Sequence, residues 1–407
     1  MIQKYITRTL EPVLKRAAED FPVVILTGPR QSGKTTLLKH LFAENYAYIS
    51  LEPPDIRAAA SEDPRGFLAM YPPPAILDEI QYAPDLLSYI KERVDANRTE
   101  HGQYLLTGSQ NLLLMQQVTE SLAGRTAILR LLPLSQRETL GVSGFPFPWE
   151  SDKKRALHQG LTYELLWEKI LHGNYPELIA DPKKDVSLWY ASYIQTYLER
   201  DVRSLRQVGD LTTFQNFVRA IAARSGGLLN LTEVSRDIGV AVNTAKAWLS
   251  VLEATYQIII LQPYFANVGK RLVKTPKLYF TDVGMLCHLV GLKDPHHAAS
   301  SPMSGAIFET LVLTEIFKTY FHQGREPRVY FWRTATGTEV DILIEVNGRL
   351  VPIEVKLSAT PRPAMAKGII ILQADLGKKV APGYIVHPGD VRLPLGQGAT
   401  ALPFAEL

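Results

Sequence analysis

Gly28-Pro29-Arg30-Gln31-Ser32-Gly33-Lys34-Thr35 constrains this chain more than any other stretch. It fits the pattern G-x-x-x-x-G-K-[ST] at every fixed position. A β-rich run, Val23-Val24-Ile25-Leu26, precedes it, and a leucine-rich stretch from Thr36 to Phe42 follows. Strand, glycine-rich loop and helix in that order make a phosphate cradle. The glycines let successive backbone N–H groups converge on an anion, and the helix N-terminus adds partial positive charge. Lys34 then meets the β- and γ-phosphates, and the Thr35 hydroxyl ligates magnesium. Gly28 through Thr36 are the nucleotide-binding candidates, and ATP and Mg2+ are the cofactors implied.

Two neighbouring strands add polar ends. Ala75-Ile76-Leu77 runs into Asp78 and Glu79. In a phosphate-loop ATPase, Asp78 would hold magnesium and Glu79 would polarise the attacking water. The alternative is a strand that ends in ordinary solvated acids. Tyr104-Leu105-Leu106 runs into Thr107 and Ser109, which could sense the γ-phosphate or position water. Ser109 also suits a helix N-cap. Arg125, in Ser121-Leu122-Ala123-Gly124-Arg125, reads either as an arginine finger or as half of a surface salt bridge. Lys34, Glu79 and Arg125 are the catalytic candidates.

At 407 residues the chain is too long for one compact domain. Residues 1–145 alternate strand and helix patterns, which predicts an α/β domain with a largely parallel sheet. A Gly-, Pro- and aromatic-rich loop and a charged segment follow. Residues 150–290 read as a helical and winged-helix module, and 300–407 as a second α/β domain. Apolar residues at 46% and charged residues at 21% are ordinary for a soluble globular chain. No apolar run approaches the ~18 residues needed to cross a bilayer, and the first residues lack a signal-peptide core. A cytoplasmic protein with no membrane partner is expected. The single cysteine, Cys287, excludes an internal disulfide and a cysteine-based zinc site. A net charge of +3 is too small to argue for nucleic acid by itself.

The sequence resembles the prokaryotic AAA-type P-loop ATPases whose C-terminal half carries a domain of unknown function. The matching segments are the phosphate loop, Leu77-Asp78-Glu79-Ile80-Gln81, Leu106-Thr107-Gly108-Ser109, Ser121 to Arg125, Pro133-Leu134-Ser135, Gly173-Asn174-Tyr175-Pro176-Glu177 and Tyr197-Leu198-Glu199-Arg200-Asp201-Val202. The resemblance spans nearly the whole chain. It implies ATP binding and does not name a substrate. A homo-oligomer is compatible with it.

Leu231 to Leu252 reads as two short helices around Gly239-Val240, with Thr232 as the first helix's N-cap. Val242, Ala245, Leu249 and Leu252 are expected inward, and Asn243, Thr244, Lys246 and Ser250 outward. Two strand candidates, Ile258 to Leu261 and Lys277 to Phe280, flank a segment that holds Lys270, Arg271, Lys274 and Lys277, with no acid from Gln262 to Leu278. The outline resembles a winged helix. Its second helix could enter a DNA major groove while the basic wing meets phosphates. The alternative is a winged helix used only for packing.

The last pattern is a hairpin. Asn347-Gly348 between two apolar runs is a strong two-residue turn signal. Val346 then faces Arg349, Asp341 lies opposite Glu354, and Glu339 lies opposite Lys356. The other face pairs Val340 with Val355, Ile342 with Ile353 and Ile344 with Val351. Two carboxylates roughly 5 Å apart repel by about 3 kcal/mol at an effective dielectric near 20. A divalent cation between them is therefore expected, with Lys356 beside it and Glu309 as a third carboxylate. This constellation resembles the PD-(D/E)xK nuclease fold: Asp341 matches the first acid, Glu354 and Lys356 the E-x-K, and Glu309 the helical acid. Val340 stands where that family's proline usually precedes the aspartate. The plainer alternative is a solvated charged face.

Together these features predict an ATPase that acts on DNA. An ATP-dependent switch with a protein partner and an ATP-licensed nuclease are the alternatives.

Overall fold

A computed structural model of the chain describes residues 5–108, 121–142, 144, 146–151, 161–198, 211–264, 274–396 and 398–407. Its first third is a five-stranded, wholly parallel sheet, ordered β2 (Ala47–Ser50), β3 (Ala75–Asp78), β4 (Tyr104–Gly108), β1 (Val23–Thr27), β5 (Thr126–Arg130). Strands β1, β3 and β4 are buried along their full length, as expected where helices cover both faces of a parallel sheet. Alternate residues serve the two faces. Val23, Ile25, Leu77 and Leu106 pack on one side with the helix Leu86–Ala96. Val24, Leu26, Ile76 and Leu105 pack on the other with the helices Glu11–Asp20 and Lys34–Phe42. Because β4 lies between β1 and β3, the end of β4 stands between the phosphate loop and Asp78.

The middle of the chain is helical as expected, with helices Tyr163–His172, Pro176–Ala180, Val186–Tyr193 and Leu211–Ala222. The helix-turn-helix is present as Leu231–Ile238 and Val242–Ala254, joined through Gly239 in the left-handed conformation. Its first helix starts two residues earlier than expected: Asn230, not Thr232, is the N-cap and accepts from Glu233 N–H. On the second helix Ala245, Trp248, Leu249 and Leu252 face inward, while Val242 is exposed. The first turn is too far from the core to bury it. Strands β6 (Ile258–Leu261) and β7 (Lys277–Phe280) pair antiparallel.

The C-terminal sheet has the order β12 (Leu393–Pro394), β13 (Ala399–Pro403), β11 (Gly383–His387), β10 (Arg349–Val355), β9 (Glu339–Val346), β8 (Val329–Arg333). The helix Ser304–His322 is buried on nearly every side, and its buried residues include the polar Glu315, Lys318 and His322. It runs through one continuous apolar core that extends from Phe147 to Leu407 and includes residues of both the helical module and the C-terminal sheet.

The hairpin register is as the turn residues dictate. Asn347 and Gly348 both have positive φ, 50° and 74°, the signature of a type I′ turn. Val346 pairs with Arg349, Ile344 with Val351 and Ile342 with Ile353. Beyond that rung a bulge intervenes. Tyr330 pairs with Leu343 but Trp332 with Val340, so β9 carries one extra residue at Asp341 and Ile342. Val340 is thereby turned away from Val355 and packs with Leu343, Leu350 and Trp332. The expected pairings of Val340 with Val355 and of Glu339 with Lys356 are corrected accordingly. Among the described residues no helix is long and apolar enough to cross a membrane.

Candidate functional site

The phosphate loop sits at the C-terminal end of β1 and leads into the helix Lys34–Phe42. Two backbone demands explain its glycines. A Cβ on Gly28 would lie 2.1 Å from the Leu131 carbonyl oxygen. Gly33 caps the helix with φ +94°, a conformation cheap only for glycine. Lys34 is buried, and its ammonium donates to the carbonyls of Gly28 (3.0 Å) and Pro29 (2.9 Å). The lysine thus folds back over the loop. The buried Ser32 hydroxyl has no hydrogen-bond partner among the described residues.

Across from the loop, Thr35 Oγ1 donates to Asp78, 3.0 Å from each carboxylate oxygen. Tyr48 donates to the same carboxylate at 2.7 Å. Burial first, and then Asp78, push that phenol well above its ordinary range. Thr107 at the end of β4 also donates to Asp78, and accepts from Glu79 N–H at 2.9 Å. A hydroxyl and a carboxylate converging beside a phosphate loop are hard oxygen donors of the kind magnesium takes. Glu79 holds a left-handed backbone, φ 58°, which is strained for a residue other than glycine. Its carboxylate accepts from the Gln81 amide. The sequence pointed to Thr35, Asp78, Glu79 and Thr107. It did not point to Tyr48 or Gln81, although Gln81 stands two residues after Glu79.

Arg125 is not at this site. Val23 N–H donates to Arg125 O, which puts that arginine at the start of β1. The phosphate loop is at the other end, about 13 Å away at ~3.3 Å per residue. Its guanidinium grips Asp95 with two bonds of 2.7 and 3.1 Å, so the salt-bridge alternative holds within the chain. Ser109 lies outside the described residues.

A cavity of about 280 Å³ opens beside Gly33 and Thr36. Tyr5 and Ile6 wall it from the N-terminal arm, and Pro176 and Ala180 from the helical module. That module also touches the loop directly. Tyr193, packed among Tyr175 and Trp189 at ring distances of 5.0 and 5.2 Å, donates to Arg30 O at 3.4 Å. Tyr256 donates to Thr27 Oγ1 at 2.8 Å.

The C-terminal acids form a second cluster, and Lys277, Lys356 and Arg333 supply its positive charge. Lys356 Nζ lies 2.6 Å from Glu354 and 3.3 Å from Asp341. Asp341 also accepts Val355 N–H at 2.8 Å, which the ladder would otherwise pair. Burial, then the Asp341 charge, push Glu354 up to about 8. Burial, then Asp341 again, push Glu309 up to about 7. Among the described residues no three His, Cys, Asp or Glu side chains converge to hold a metal ion. The Lys356 ammonium stands beside both Asp341 and Glu354, the two acids between which the sequence placed a divalent cation.

Lys277 is corrected too. It is buried rather than part of an exposed basic wing, and it pairs with Glu309 at 3.0 Å and with Glu339. Those acids lie 32 and 62 residues downstream and pull the ammonium inward. Lys246 and Lys274 are exposed as expected. Lys270 and Arg271 lie outside the described residues.

Residues 20–140 match an AAA domain, 163–296 a domain of unknown function (DUF8612) and 304–407 another (DUF4143). The uncharacterised proteins Rv2008c of Mycobacterium tuberculosis and Mb2031c of Mycobacterium bovis are each 31% identical over 392 residues, 96% of this chain and 82% of theirs. The uncharacterised protein MJ1544 of Methanocaldococcus jannaschii is 23% identical over 360 residues, 83% of this chain and 76% of its own. Among solved structures, the Walker-type ATPase PABY2304 of Pyrococcus abyssi superposes loosely, with a TM-score of 0.45 and 15% identity over 69% of this chain and 94% of that one.

Proposed function

Since the chain belongs to the family of AAA-type P-loop ATPases that end in the domain of unknown function DUF4143, we propose that it binds and hydrolyses Mg2+·ATP and couples turnover to DNA contact. The observation that carries the ATPase reading is the approach of Thr35 to Asp78 at 3.0 Å beside the phosphate loop. Thr35 and Asp78 would hold magnesium, which when bound neutralises charge on the β- and γ-phosphates. Lys34 leaves the Gly28 and Pro29 carbonyls for the phosphates. Glu79 orients and polarises water, and Thr107 fixes the Glu79 peptide. The cavity beside Gly33 and Thr36 has room for a purine base. Lys34→Ala is expected to abolish tight ATP binding, read by calorimetry. Parental affinity in that variant would overturn the site.

The DNA part rests on the helix Val242–Ala254, which exposes Asn243 and Lys246, and on the exposed Lys274. The ATPase rate is expected to rise with DNA, measured with single-stranded, duplex and branched DNA at two salt concentrations. Replacing Lys246 and Lys274 with Ala should weaken binding to all sequences alike. It should also make the salt slope shallower by about 0.9 per lost duplex phosphate contact. An unchanged slope would make the winged helix a packing element. A protein-responsive switch is the second reading, and the contacts of Tyr193 and Tyr256 with the phosphate-loop strand favour it. A rate that ignores DNA and answers to a protein partner would select it.

A further inference from the structure

The geometry points to Arg8 as a positioning residue that aims the Gly33 N–H at the triphosphate; this rests on the nucleotide reading of the loop. Arg8 is 4% exposed and comes from the N-terminal arm. Its Nη1 donates to Ser32 O at 2.8 Å and its Nη2 to Leu132 O at 2.7 Å. Its Nε meets Glu138 at 3.2 Å. One planar guanidinium therefore ties the phosphate loop to the chain that leaves β5, in a fork that a lysine cannot reproduce.

The anchor is itself held. Glu138 accepts from Thr9 N–H at 2.8 Å and Ser135 N–H at 2.9 Å, and lies 3.1 Å from His322 on the long C-terminal helix. Burial would raise its pKa, but Arg8 and then His322 outweigh burial and keep it well below the ordinary carboxylate range. It stays charged, and so it keeps its grip on Arg8.

The consequence follows from peptide planarity. In a trans peptide the C=O and the next N–H point in opposite directions. Arg8 holds the Ser32 carbonyl toward itself, so the Gly33 N–H is aimed away from it. That N–H takes no hydrogen-bond partner among the described residues. Gly33 at φ +94° could rotate freely, so the loop does not fix this peptide by itself. Arg8 fixes it. An anion then meets a donor already in place, which saves the cost of ordering it on binding. The effect acts on the triphosphate and not on the base, and equally on bound substrate and transition state.

The test uses the full chain. Removing Arg8 alone strands a buried carboxylate, so the main variant is Arg8→Met with Glu138→Gln. Affinity for Mg2+·ATP and for inorganic tripolyphosphate is measured by calorimetry, alongside KM, kcat and the ligand-free Tm. Both affinities and KM are expected to worsen by about tenfold, the worth of one charge-assisted hydrogen bond, with kcat within about twofold of the parent. Arg8→Lys should recover part of the loss, since one ammonium can hold only one of the two carbonyls well. Parental affinity in a folded variant, whatever its Tm, overturns the proposal, as does a fall in kcat at constant KM. If the double variant does not fold, Arg8→Lys decides alone: parental KM at parental Tm overturns it. Lys34→Ala separates the two readings. If Lys34→Ala retains tripolyphosphate, the nucleotide reading of the loop fails; if it loses it while the Arg8 variants do not change, only the role of Arg8 fails.

Discussion

Glu79→Gln is expected to lower ATP turnover by about 10²–10⁴-fold, the usual worth of a positioned general base, while ATP binds as tightly as in the parent. The substitution keeps volume and shape and removes only the charge. Asp78, Thr35 and Lys34 are untouched, so the groups proposed for the phosphates and magnesium remain. The Gln81 amide that donates to Glu79 can donate to the new carbonyl oxygen instead. The left-handed backbone at residue 79 is held by the Thr107 hydroxyl, which accepts the peptide N–H, and it does not depend on the carboxylate. Loss of turnover with binding intact therefore reports the water-activating role. Parental hydrolysis by the variant would remove Glu79 from that role.

Lys277→Met carries the largest expected effect on stability. The lysine is 3% exposed and its ammonium joins Glu309 and Glu339. Removing one partner of a buried ion pair costs about 3–5 kcal/mol, because the remaining charge is left without compensation. For the unit that contains it this lowers Tm by roughly 10 °C at pH 8. The loss should shrink on acidification. The folded-state pKa of Glu309 is already raised, to about 7, above its unfolded value. Lys277 lowers that pKa, so in the variant Glu309 lies higher still; the variant takes up its proton at a higher pH than the parent and regains stability relative to it as pH falls from there toward the unfolded carboxylate range near 4.3. Thermal unfolding at pH 8 and pH 5.5 reads both effects. A loss below about 1 kcal/mol at pH 8 would mean that the cluster is effectively solvated. Adding Glu309→Gln to Lys277→Met should restore part of the loss at pH 8.

The parts of this fold that were legible share one property: each is dictated within a few residues. The phosphate loop requires its glycines, its lysine and its threonine in fixed order. The hairpin register follows from Asn347-Gly348, because a two-residue turn with positive φ leaves one way to pair the strands. The bulge at Asp341 and Ile342 was not legible. Glu339 to Val346 reads as one strand with a single apolar break in its alternation at Leu343, and the extra residue is defined by the neighbouring strand β8. Lys277 failed for the same reason. In a segment without acids it reads as exposed, and nothing nearby announces Glu309 and Glu339. At the phosphate loop, the sequence pointed to the residues that would touch nucleotide and missed those that hold them. Arg8 is a lone arginine in an undistinguished arm. Tyr193 and Tyr256 look like ordinary core aromatics, because their hydroxyl contacts with Arg30 and Thr27 lie far away in the sequence.

The continuous core from Phe147 to Leu407 changes what a boundary means in this chain. The matches to two domains of unknown function stop at 296 and resume at 304, where a cloner would cut. The helix Ser304–His322 begins there, yet Ile307, Phe308, Leu311 and Val312 are buried in the same cluster as Phe280, Met285 and Leu286. A cut at that point would bare an oily seam on both fragments, and neither would be expected to stay in solution alone. What sequence families divide into two cassettes is mechanically one piece. Among the described residues the apolar core runs across that boundary without a break.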